Sequence, residues 1–111
     1  MEYNPDKWIV LKINNDGNSI IYKVFGSWYG GFAQGDSWRA NSGITKIVFD
    51  KKTNSYRVYG ESGSIYICHR DCYGVSAYSS SVIEGFIKEA DGKIKSLSEE
   101  QFLGMWTEFN K

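Results

Sequence analysis

The sequence predicts an α+β domain in which an antiparallel sheet of about five strands carries two C-terminal helices packed on one face. Three observations predict it. Apolar and polar residues alternate with period two in short segments between Trp8 and Cys68; turn-forming residues such as Asp16-Gly17 separate them; and from Ser79 the apolar spacing becomes helical. A chain of 111 residues has the usual size of one domain, so residues 1–111 are read as a single unit.

The first strand is Trp8 to Ile13, with Ile9, Leu11 and Ile13 on one face and Trp8, Val10 and Lys12 on the other. Asp16-Gly17 supplies tight-hairpin chemistry, and Ser19 to Phe25 is the return strand. Ile44 to Asp50, Tyr56 to Tyr59 and Ser64 to Cys68 complete the set, divided by the polar turns at Lys51–Asn54 and Gly60–Gly63. Ser42-Gly43-Ile44 and Ser62-Gly63-Ser64 echo one another ahead of two of these strands. Two copies of so short a motif do not make a repeat protein.

Ser81 and Glu84 have capping-box spacing, and Val82, Ile83, Phe86, Ile87 and Ala90 form a helical stripe that ends at Asp91-Gly92. A second helix opens at Ser98, with Gln101 at its third position and Leu97 placed to staple onto Phe102. Its apolar face is Phe102, Leu103, Met105, Trp106 and Phe109, with Glu99 and Glu100 in the first turn where the helix dipole favours them. Half-polar strands need a cover on one face, and these helices are expected to supply it.

Phe25 to Arg39, FGSWYGGFAQGDSWR, fits neither period. Its four glycines predict an irregular connection, while its aromatic residues need either a core to plug or a partner to meet. Trp, Tyr and Arg dominate the energy of protein interfaces, so Trp28, Tyr29, Phe32, Trp38 and Arg39 are the candidate partner-binding residues. This reading expects Trp28→Ala combined with Trp38→Ala to abolish binding and spare stability. The same rings would also suit core packing, stacked bases or sugars.

Catalytic and cofactor signals are sparse. Cys68-His69-Arg70-Asp71-Cys72 holds the chain's one histidine and both cysteines, but its ligands are too cramped to wrap tetrahedrally around zinc. Adjacent strand residues point to opposite faces, which works against a Cys68–His69 pair in nucleophilic catalysis. Neither phosphate-loop glycine spacing occurs. The expectation is therefore a protein that is not an enzyme, with no cofactor and no metal. A small enzyme built on Cys68, His69 and Cys72 is retained as an alternative, as is a single-stranded nucleic-acid binder.

Thirteen basic and thirteen acidic residues cancel, so the charge surplus behind non-specific phosphate binding is missing and nucleic acid is disfavoured. MEYNPDKW lacks the basic start and apolar core of a signal peptide, and no apolar run approaches the ~18 residues of a membrane span. A cytoplasmic location is expected, with reduced thiols and no membrane partner. An exposed strand edge or aromatic loop would leave homo-oligomerisation open.

The runs GSWYGGFAQGDSWRANSGI, ESGSIYICHRDCYG and SSSVIEGF, which lie between about Lys23 and Phe86, resemble a pattern in small uncharacterised accessory proteins of tailed bacteriophages. The resemblance rests on Gly, Ser and aromatic spacing. It implies a viral protein of the infected cell's cytoplasm, acting by occupying the surface of a host or bacterial defence protein as an inhibitor.

Overall fold

A computed structural model describes residues 1–15, 19–29 and 37–109. It contains β1 (Glu2–Tyr3), β2 (Lys7–Asn15), β3 (Ser19–Trp28), β4 (Ser37–Ala40), β5 (Ile44–Asp50), β6 (Ser55–Gly60), β7 (Ile65–His69), α1 (Ala77–Glu89), β8 (Ile94–Ser96) and α2 (Glu99–Phe109), with a 3₁₀ turn at Arg70–Cys72. The α+β class and the two helices agree with expectation. The single five-stranded sheet does not. There are two four-stranded sheets, ordered β1-β7-β6-β5 and β4-β3-β2-β8, antiparallel throughout except where β1 pairs parallel with β7.

The reason lies in β2, which is apolar on both faces. Trp8 and Val10, with Val24 of β3, meet Ile47, Tyr56, Val58, Tyr66 and Cys68 of the other sheet. On the opposite face, Ile9, Leu11 and Phe25 pack on Ile83 of α1, with Val82, Phe86 and Ile87 around it. A strand buried on both sides needs two covers. The second sheet is one and α1 is the other.

The helices therefore do not share a face. α1 lies on the outer side of the β4-β3-β2-β8 sheet, whereas α2 inserts Phe102 and Met105 into the core between the sheets. The other sheet is left half polar on its outer face, where Lys46 lies over the Tyr59 ring and Arg57 stands 3.9 Å from Glu2.

Trp8, 1% exposed, joins these parts. Its Nε1–H donates to the His69 carbonyl at 2.7 Å, and its ring meets Tyr73 at 4.7 Å and Phe102 at 4.9 Å, both edge-on. Tyr73 adds a polar tie: its hydroxyl donates to Leu97 O at 2.8 Å and accepts from Val10 N–H at 3.1 Å. Burial pushes the Tyr73 phenol up to about 12, so it stays protonated at neutral pH and keeps its donor.

The helix signals fared differently. The Ser98–Gln101 capping box forms as expected: Ser98 N–H donates to Gln101 Oε1 at 2.9 Å, and Gln101 N–H to Ser98 Oγ at 3.1 Å. α1 instead starts one turn before the expected Ser81 box. Ser76 is its cap, accepting from Ser79 N–H at 3.2 Å, while Ser81 turns its hydroxyl back to Ala77 O. In a serine-rich run several residues can cap, and here the fully buried Ser79 already belongs to the helix. The helix ends at Asp91 (φ 51) and Gly92 (φ 85), as the sequence suggests. Among strands, β1, β4 and β8 are additions; β8 has three residues, too few for periodicity to reveal, and pairs Leu11 with Ser96.

Replacing Trp8 by Ala should cost about 3–5 kcal/mol, the range for deleting a fully buried large aromatic. Urea unfolding measures this directly, and a loss under about 1 kcal/mol would show that Trp8 does not join the layers.

Candidate functional site

The aromatic stretch is not irregular at its ends. β3 runs through Phe25 to Trp28, and Ser37 to Ala40 returns beside it as β4, in the register Phe25↔Ala40 to Trp28↔Ser37. Glycine misled the sequence reading here. Gly26 lies inside β3 with ordinary strand pairing, and a Cβ on it would stand 2.9 Å from the Pro5 side chain. It is needed for the close passage of the Asn4–Asp6 connection rather than for a turn.

That connection holds the hairpin in place. Asp6 N–H donates to Ser27 O at 2.9 Å, and Asp6 Oδ2 accepts from Tyr29 N–H at 2.7 Å. Trp28 Nε1–H donates to Asn4 O at 2.9 Å while its ring stands edge-on to Tyr3 at 6.3 Å. Trp28 is half-buried. It anchors the hairpin and is not a free surface ring, which corrects the expectation that its loss would spare stability.

The other candidates divide between the two faces of the hairpin. Trp38, 38% exposed, lies on the α1 side, stacked on Phe25 at 5.2 Å with planes 12° apart and edge-on to Phe86 at 5.2 Å. Arg39 points to the opposite side, its guanidinium 4.7 Å above the Tyr3 ring. Tyr29 is 56% exposed at the end of β3. Phe32 lies outside the described residues. The described candidates therefore divide: Trp28 and Arg39 gather around Tyr3, and Trp38 belongs to the layer beneath α1.

At the cysteine cluster, alternation acts as the sequence implied. Cys68 is buried in the core, and burial pushes its thiol well above the ordinary value. His69 is exposed, its Nδ1 accepting from Asp71 N–H at 3.2 Å. Cys68 and Cys72 are both free thiols, and no group of three His, Cys, Asp or Glu among the described residues is placed to hold a metal. Nothing in this arrangement lowers the Cys68 thiol pKa.

One feature was missed although its signal was present. The echoed Ser-Gly motifs meet in space: Ser62 N–H donates to Ser42 Oγ and Glu61 N–H to Gly43 O, each at 2.9 Å. Together they form one wall of a cleft beside Arg39 and Asn41.

No protein-family model, curated protein or solved structure matches the chain at a significant level. Among the described residues, no helix is long and apolar enough to cross a membrane.

Two outcomes follow from this geometry. Trp28→Ala should cost about 1–3 kcal/mol through lost packing of a half-buried ring, while Tyr29→Ala should stay within about 0.5 kcal/mol of the parent in chemical denaturation. In the native state Cys68 should be alkylated by iodoacetamide far more slowly than in urea; equal rates would mean that the thiol is accessible and the enzyme reading deserves revival.

Proposed function

We propose that this chain is a non-catalytic protein-binding factor that engages its partner through the outer edge of β4, with Trp38 on that strand and Tyr29 just after the end of β3. The observation that carries the reading is β4 itself. It ends its sheet, so its outer backbone groups have no strand partner among the described residues, and it holds a half-exposed tryptophan.

An edge strand offers a row of N–H and C=O groups to which an extended segment can add, while alternate side chains supply specificity. Trp38 suits the role of anchor because Phe25 and Phe86 already fix its ring, so little rotamer freedom remains to be lost on binding. Exposed Tyr29 adds a second large contact with few torsions. Arg39 faces the other way, and Trp28 acts through the hairpin's rigidity. The balanced charge favours a protein partner over single-stranded nucleic acid.

The bacteriophage resemblance supplies the partner class: a host or bacterial defence protein in the cytoplasm, inhibited by having its surface occupied. Affinity capture from bacterial lysate, read by quantitative mass spectrometry, tests both parts. A partner should be retained by the parent and depleted at least about tenfold by Tyr29→Ala with Trp38→Ala, as for interface anchors. Circular dichroism checks that the variant is folded. Identical capture profiles from two folded proteins would refute the reading.

A further inference from the structure

The cleft beside β4 contains an unusual side chain. Asn41 follows the last residue of β4 and completes the pairing with Val24 by two routes: its backbone N–H donates to Val24 O at 3.0 Å, and its Oδ1 accepts from Val24 N–H at 2.9 Å. The residue is 4% exposed, and its Nδ2 has no hydrogen-bond partner. A buried amide NH₂ without an acceptor is costly, about 1–3 kcal/mol, so it calls for a physical account. A Cβ placed on Gly60 would lie 3.2 Å from both Asn41 Nδ2 and Ser64 Oγ, so both polar atoms lie close to that glycine.

The surroundings of the cleft share one chemistry. Its volume is about 370 Å³, and it is lined by Lys23, Arg39, Asn41, Ser42, Ser62 and Ser64, with Tyr3 and Tyr66 behind them. The lining has two cationic side chains and no carboxylate. Many donors, two cations and one amide lacking an acceptor describe a receptor for an oxyanion.

We propose that this cleft binds a phosphate group, carried by a small molecule as its monoester or presented as free phosphate, with Arg39 and Lys23 balancing its charge and the Asn41 amide donating to one of its oxygens. A phosphate monoester carries about −1.5 to −2 charges at neutral pH, matching two cations where a carboxylate would match one. The space exceeds that of a bare oxyanion and falls within the range of small-ligand sites, about 300–1,000 Å³. Arg39 is prepositioned by Tyr3, whose ring holds the guanidinium at the cleft mouth. Arg39 points to the face of β4 opposite Trp38, and Trp38 does not line the cleft, so the proposal does not depend on the protein-binding reading.

The test is a titration of the full ¹⁵N-labelled chain with glucose 6-phosphate, inorganic phosphate and neutral glucose, followed by two-dimensional NMR. The Asn41 side-chain NH₂ pair and the amides of Ser42, Ser62 and Ser64 should shift saturably with a phosphate-bearing probe and stay still with glucose. Stronger binding of glucose 6-phosphate identifies a monoester as the natural guest, and equal or stronger binding of inorganic phosphate identifies free phosphate. Lys23→Gln with Arg39→Gln, both changes on the cleft rim, should weaken the response at least about tenfold, as expected for removing charge-assisted hydrogen bonds. No saturable shift with either phosphate up to about 10 mM, the millimolar range of weak specific binding, would overturn the proposal. So would a response unchanged in the folded double variant, or the same shifts with glucose.

Discussion

The double burial of β2 is the constraint on which the rest of the molecule depends. Trp8 and Val10 face one layer and Ile9 and Leu11 the other, so one strand supplies part of both cores. Two covers must be found, and they come from distant parts of the chain: the sheet formed by β5, β6 and β7 with β1, and the helix α1. The Trp8 indole then ties the arrangement together, with His69 O accepting its proton and Tyr73 and Phe102 meeting its ring. Edge-to-face pairs add about 0.5–1.5 kcal/mol each beyond simple area burial, so this cluster fixes geometry as well as sealing the core.

From that frame the hairpin inherits its rigidity. β3 is held along its whole length by β2, and its last residues are fixed by the Asn4–Asp6 connection, which passes close over Gly26. Trp28 is committed to that crossing through Asn4 and Tyr3. What the frame leaves outward is the β4 edge and the half-exposed rings of Trp38 and Tyr29. A surface feature on such support can offer an ordered contact, because the ordering entropy was lost in folding.

The two faces of β4 carry different chemistry. On the α1 side Trp38 continues an apolar layer to the surface; on the other, Arg39, Asn41 and the paired Ser-Gly turns gather donors around a cleft. The alternation of one four-residue strand separates a half-exposed apolar ring from a polar recess. Trp38 and Arg39, adjacent in sequence, therefore lie on opposite faces of the hairpin.

By itself the sequence determined what local physics controls. Period-two segments gave β2, β5, β6 and β7 to within a residue or two, Ser98 and Gln101 gave the start of α2, and alternation at Cys68 and His69 set one inward and the other outward. Only the tertiary structure decided that the strands form two sheets, that α1 and α2 cover different surfaces, that Gly26 serves a close crossing, and that the echoed Ser42-Gly43 and Ser62-Gly63 meet. The physical reason is range. Periodicity, caps and turns are fixed by neighbours within a few residues, whereas a strand apolar on both faces states that it needs two covers without naming the distant segments that will provide them.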